Sequence, residues 1–456
     1  MKTKKAINQR IPLCFLLIMT LIPGWVHARG DGVRVGQSGS FHPRLYLDTG
    51  YDNNVFNRSS QNPATLLPVD TAYLNVRPGL QLEIPSHPIG FELSGYANYS
   101  LFFNSTAANL NTITAKADLT VTLFRNSPVS FSLTNNFSRS SGDENTANDV
   151  FERVAFYHQL GTTFRQPFIS HDNKTAALLT IQPGGREGPF KFDIGYTFRF
   201  AINPDPDTDN NRHKLSLGTK WAFFPKTALL FEASGEFVNF NPRFDFSQTS
   251  TVTRSSVPVK GTVGIVGNFT ENLSLTVRVG GGYNIIDTSV ASTLPDDTYG
   301  MAIGSAILTY YFSPTIYFRM GLSHDFHPSA FSNFMHQSAG FLEFTAQINR
   351  FLIGLRGSAA YIGFGKVNQT VSQPNNGGVT TRFNSNNINA DGTINRNDII
   401  VRGNATFDFN ITQWFVIGLR AGVDWRNSDL FVITSEGQIG LSYLNFKAAL
   451  KLEVAY

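Results

Sequence analysis

The chain has 456 residues, of which 41% are hydrophobic, 13% aromatic and only 15% charged, with a formal net charge of +4. That much apolar content excludes a disordered chain, yet no internal stretch reaches the ~18 consecutive apolar residues of a spanning helix. The positive residues are scattered, so the clustered footprint of a nucleic-acid-binding protein is missing as well.

The start of the chain reads as an export signal. Lys2, Lys4, Lys5 and Arg10 give a basic opening, Ile11 to Ile22 an apolar run too short to span, and Val26-His27-Ala28 a cleavage-like site. Residues 1–28 are therefore expected to be removed, with residues 29–40 a periplasmic lead-in to the fold. The single cysteine, Cys14, lies within the signal and no lipoprotein-type small residue precedes it. A mature chain without cysteine has neither disulfides nor thiolate metal sites, which suits passage through an oxidising compartment.

From about residue 41 onward one pattern recurs: apolar residues at every second position, then a break, as in strands whose two faces differ. Leu45, Leu47, Thr49 and Tyr51 share a face, then Ala72, Leu74, Val76, Leu80, Leu82 and Ile84, then Phe91, Leu93, Ala97, Tyr99 and Leu101. Ile113 to Leu123 alternates with Lys116, Asp118, Thr120 and Thr122. A fifth run carries Val129, Phe131, Leu133 and Phe137, and a sixth Val154, Phe156, Leu160 and Phe164. The cleanest alternation sets Phe190, Phe192, Ile194, Tyr196, Phe198 and Phe200 against Lys191, Asp193, Gly195, Thr197 and Arg199. Thr175–Gln182 does not fit the sequence of turns and is read as an extension or small hairpin at a rim.

The breaks alternate too. Tight ones, such as Pro85-Ser86-His87-Pro88, Phe224-Pro225-Lys226 and Asn349-Arg350, are interleaved with long polar ones at 57–69, 139–149, 201–211, 241–255, 287–298 and 365–396. Short turns on one rim and long loops on the other are the build of a transmembrane β-barrel, whose closure also pairs every backbone group. The fold class expected is thus all-β: a single antiparallel up-and-down barrel over residues 41–456, with about 18 strands in a range of 16–20.

Alternation sends the charged side chains inward, because each would cost a few kcal/mol if it faced lipid near the midplane. The candidate lumen-lining residues are Lys116, Asp118, Arg153, Lys191, Asp193 and Arg199 in the first half. Glu232, Glu236, Arg278, Arg319, Glu343 and Arg356 follow in the second. Their mixed signs suit either a weakly selective pore or a lumen closed by ion pairs. The long Gly365–Asn397 segment could constrict that lumen or reach outward as a contact surface or mobile loop.

Other motifs carry less. The Asp205-Pro206-Asp207-Thr208-Asp209 spacing lacks the glycine and distal glutamate of a calcium loop, with Ser216 where the glutamate would stand, and reads as a solvated acidic loop. His324 and His327 point to opposite faces of a strand, so they are poor joint ligands. Asp325 and His327 have the spacing of the acid–histidine pair of omptin-type proteases, but their surroundings do not. Gly280-Gly281-Gly282 reads as a bulge or bend in a barrel wall. No catalytic residue, metal or cofactor is assigned.

The last stretch, Asn445 to Tyr456, puts Phe446, Leu450, Leu452, Val454 and Tyr456 on one face and Lys447, Lys451 and Glu453 on the other. It resembles the final strand of bacterial outer-membrane barrels, and Val33-Arg34-Val35-Gly36 through Tyr51-Asp52-Asn53-Asn54-Val55-Phe56 resembles the opening of large outer-membrane β-barrel porins. Some of those are associated with polysaccharide export and others with envelope-spanning motility machines. The resemblance implies outer-membrane lipid and the barrel assembly machinery as partners, with the five C-terminal apolar residues as the assembly signal. Other envelope proteins could be further partners. A barrel with a charged lumen points in turn to a passive or gated channel for polar solutes or a secreted polymer, with a scaffold barrel of an envelope complex as the alternative and a barrel-embedded hydrolase third. One irregularity remains: the alternation changes phase between Tyr443 and Leu444. Either a tight turn there begins a separate last strand or one long strand from Phe431 carries a β-bulge; the bulge is preferred, since it keeps Tyr456 at the periplasmic rim.

Overall fold

A computed structural model describes residues 32–36, 38–55, 57, 60, 67–86, 88–107, 111–141, 169–185, 188–202, 210–240, 255–287, 299–328, 335–367, 394–429, 431–434, 437–440 and 442–456. Residues 1–28, the Asp205–Asp209 motif and most of Gly365–Asn397 lie outside this set.

The alternating runs become strands. A short β1 (Val33–Val35) folds back on β2 (Gly39–Asp52), followed by β3 (Thr71–Ile84), β4 (Ile89–Phe102), β5 (Thr112–Leu123) and β6 (Val129–Ser141). Next come β7 (Ile169–Ile181), β8 (Phe190–Ile202), β9 (Asn210–Phe224), β10 (Thr227–Phe240), β11 (Ser255–Asn268) and β12 (Leu273–Asp287). The wall continues through β13 (Tyr299–Ser313), β14 (Ile316–His327), β15 (Met335–Ile348), β16 (Phe351–Val367), β17 (Ile394–Asn410) and β18 (Phe415–Ser428). A two-stranded hairpin, β19 (Phe431–Thr434) with β20 (Gly437–Gly440), precedes the last strand, β21 (Tyr443–Ala455). From β2 to β18 each strand pairs antiparallel with the next, β18 pairs with β21, and β21 pairs with β2. The result is a closed up-and-down barrel of 18 strands.

Turn chemistry follows the residues. Asn349 takes a left-handed backbone (φ 53°) in the two-residue link between β15 and β16, a conformation asparagine tolerates. The β7–β8 link uses Gly184 and Gly185 at φ 86° and 75°.

Three expectations need correction. Thr175–Gln182 is no rim extension: all of it but Gln182 belongs to β7, a full wall strand whose register runs from Val129↔Ile181 to Ser141↔Ile169 against β6. The run is hard to recognise because Asn173 and Thr175 break the apolar series on its convex face. Asn135 of β6 satisfies them there, donating to Thr175 Oγ1 at 2.8 Å and Asn173 Oδ1 at 3.1 Å. The sixth expected run, Val154 to Phe164, lies outside the described residues, and β6 pairs directly with β7 without it.

The second correction concerns the end of the chain. Phe431–Tyr456 is not one bulged strand, since β19 and β20 form a sheet of their own within the connection from β18 to β21. The phase change falls where that hairpin ends and β21 begins. Tyr456 still reaches the short-turn rim, its N–H donating to Pro43 O at 3.1 Å. The glycine run also departs from expectation, because β12 passes through Gly280–Gly282 in unbroken register with both neighbours. A Cβ at Gly282 would collide with the Phe326 ring, so glycine there makes room for a side chain rather than marking a bulge.

The two faces are told apart by reach. Side chains converge on a concave surface and diverge on a convex one, so polar contacts that jump a whole strand belong to the interior. Lys260 of β11 reaches Asp325 of β14 at 2.6 Å, and Lys451 of β21 reaches Asp408 of β17 at 2.8 Å. The opposite face carries an exposed apolar band, with Ile194, Leu217, Val279, Leu322, Leu355 and Leu419 among its members. Such a band matches the lipid-facing girdle of a transmembrane barrel. Leu322, 64% exposed midway along β14, tests it. Leu322→Arg is expected to cost about 2–4 kcal/mol in denaturant unfolding from lipid vesicles. Ser323→Arg, one residue along on the concave face, should stay within about 1 kcal/mol of the parent.

Candidate functional site: the concave wall

The concave wall is assembled from charges that neighbouring strands place side by side. Lys116 and Asp118, two apart on β5, pair at 3.0 Å, and Lys191 and Asp193 on β8 at 2.9 Å. Asp193 also accepts from Thr180 Oγ1 at 2.6 Å. Arg199 is bound to Asp172 of β7 through both Nε and a terminal nitrogen. Glu236 faces Arg212 at 3.9 Å, and Glu232 holds Arg278 at 3.3 Å. Arg319, Glu343 and Arg356 are register partners in one row across β14, β15 and β16. The two guanidinium groups of that row lie 5.4 and 5.5 Å from the Phe341 ring centre, while Tyr317 donates to Glu343 at 3.3 Å. Eleven of the twelve candidate lining residues are thus found on this face, and Arg153 lies outside the described residues.

The densest cluster was not among those candidates. Tyr46 of β2 has three cations around its ring: Arg77 and Arg420 at 5.1 Å each and Lys451 at 5.6 Å. Arg77 also lies 4.9 Å from the Tyr96 ring. Lys451 is buried and gives its ammonium to Asp408 at 2.8 Å and Glu453 at 3.0 Å. Nearby, Asn75 donates to Asp48 at 2.6 Å. The aromatic face attracts the cations and the carboxylates balance them, so the cluster ties β2, β3, β17, β18 and β21 together. Its sequence signal existed: Tyr46 and Asp48 lie opposite the apolar Leu45, Leu47 and Thr49 face. Pairing across the two chain ends was needed to bring Lys451 and Glu453 beside them.

Near the loop-side ends the concave face changes character. Arg426 and Asp398 are bonded at 2.5 Å with side chains 2% and 0% exposed. Ile362, Phe364 and Ile400 form an apolar cluster with Met335 against it. Phe326 is fully buried, edge-on to Tyr299 with centroids 6.0 Å apart.

The His324 ring lies 6.3 Å from the His336 ring. His324 bonds Ser338 Oγ at 2.7 Å, whereas the Asp325 carboxylate is taken by Lys260 at 2.6 Å. Among the described residues no group of three His, Cys, Asp or Glu side chains is placed to hold a metal ion.

No protein-family profile matches the chain, and no curated protein does. Among solved structures it is similar to the siderophore receptor PirA of Pseudomonas aeruginosa, with 10% identity, 93% of this chain and 81% of that one covered, and a TM-score of 0.44. It is also similar to OccK1 (OpdK) of the same organism, at 9% identity, 91% and 99% coverage and a TM-score of 0.42. The FrpB iron transporter of Neisseria meningitidis gives 8% identity, 91% and 81% coverage and a TM-score of 0.42.

The Tyr46 cluster yields a stability test. Lys451→Met leaves Asp408 without its cation on a buried part of the wall and is expected to cost about 3–5 kcal/mol. The midpoint of heat-modifiable gel mobility should fall, and adding Asp408→Asn should restore part of the loss.

Proposed function

We propose that the protein is a channel of the bacterial outer membrane that passes polar solutes or a secreted polymer. The observation that carries this reading is the closed barrel of 18 strands with an apolar convex band and a charged concave wall. Barrels of ~16–18 strands are wide enough to leave an aqueous path, and a wall of ion pairs favours water over a packed apolar filling. The fully buried Phe326, Asn284, Asp398 and Arg426 near the loop-side ends support a path that narrows on that side. No hydrolytic role is proposed.

The partners follow from the two faces. The convex band meets outer-membrane lipid, and the β21 face bearing Phe446, Leu450, Leu452, Val454 and Tyr456 is what the barrel assembly machinery would engage. Phe446 and Leu450 are exposed on it. A channel incorporated into planar bilayers should give stepwise currents in potassium chloride. Complete absence of current at every voltage, from protein shown folded by gel mobility, would leave the scaffold reading in its place. Removal of Tyr456 should lower the folded fraction in membranes several-fold while leaving the amount of exported chain unchanged.

A further inference from the structure

The charges of the concave wall are not evenly balanced. Between β5 and β10 the wall encloses a recess of about 480 Å³, within the size range of small-ligand sites. Five cations line it: Lys116, Lys174, Arg199, Arg212 and Lys214. Only Asp172 and Glu236 oppose them within the lining, a surplus of three positive charges.

The pairing pattern says which cations remain available. Asp172 is occupied by Arg199 and Asp118 by Lys116, while Glu236 meets Arg212 only loosely at 3.9 Å. Neither Lys174 nor Lys214 makes an ion pair among the described residues, although Lys214 stands opposite Glu236 in the β9–β10 register. Register brings them together, since Lys174 is opposite Arg199, Arg199 opposite Arg212, and Lys214 opposite Thr197. All five cations lie within five residues of the loop-side ends of their strands. Like charges held this close on a partly dehydrated wall repel one another, and an anion between them relieves that repulsion. Asn136, Ser138, Thr197 and Ser216 supply neutral polar groups around the same space.

We propose that this recess binds a small organic polyanion, a solute with two or more carboxylate or phosphate groups, on the loop side of the channel path. The two lysines are its main contacts, with Arg199, held by Asp172, and Arg212 flanking it. The inference rests on the channel reading for its meaning in transport, but binding at the recess stands or falls separately.

Isothermal titration of the full-length protein in detergent decides it, with citrate, glucose 6-phosphate and neutral glucose as probes. Citrate or glucose 6-phosphate should bind and glucose should not, the stronger of the two anions identifying which group the recess prefers. Lys174→Gln with Lys214→Gln should weaken that binding about tenfold or more. Lys226→Gln, in a short turn on the opposite rim, should leave it unchanged. Gel mobility before and after heating confirms that each variant is folded. Equal binding by the double variant and the parent, or no binding of either anion by the parent, overturns the proposal. In bilayers, the preference for chloride over potassium should fall in the double variant. Absence of any current would overturn the channel reading and leave the calorimetric test of the recess intact.

Discussion

Hydrocarbon offers no hydrogen bonds to a peptide group, so a sheet that crosses a bilayer must have no free edge. The rest of this structure depends on the one joint that removes the edge, the pairing of β2 with β21. Nine register pairs, from Arg44↔Ala455 to Asp52↔Lys447, close it. Side chains reinforce both of its ends. At the loop side, Asn54 Nδ2 donates to Leu444 O at 3.2 Å and Asn445 Nδ2 donates to Asn54 O at 3.1 Å. Phe446 N–H donates to Asn53 Oδ1 at 2.6 Å, and Lys447 pairs with Asp52 at 3.1 Å. At the other rim Tyr456 is tied to Pro43.

Those residues include the very segments whose resemblance to large outer-membrane porins is legible, Tyr51-Asp52-Asn53-Asn54 and the terminal strand. The two stretches lie almost the whole chain apart and meet only when the barrel closes. Both serve the same seam. Between them the wall needs only alternation, which many residues satisfy, and there the resemblance fades.

Once closed, the barrel sorts its side chains by curvature. On the concave wall, ions can pair across two strands and around Tyr46, whose aromatic face gathers three cations while two carboxylates hold one of them, Lys451. Most other charges there are matched with a neighbour and hold the wall rather than select a solute. The β5–β10 recess differs because its lysines exceed its carboxylates. Selectivity is expected where the pairing is incomplete.

Alternation of apolar and polar residues was enough to determine a barrel, its short and long rims and the approximate strand number. Those properties are local, since a strand's two faces are written in its own residues. Three things were decided only by tertiary structure. The Asn135–Thr175 contact lets β7 carry polar residues on its convex face, so a strand without clean alternation still belongs to the wall. The β19–β20 hairpin separates β18 from β21, where phase alone suggested a bulge. The Tyr46 cluster and the cationic recess arise from register between strands far apart in the chain, because which charges meet depends on how the sheet closes and not on any one strand.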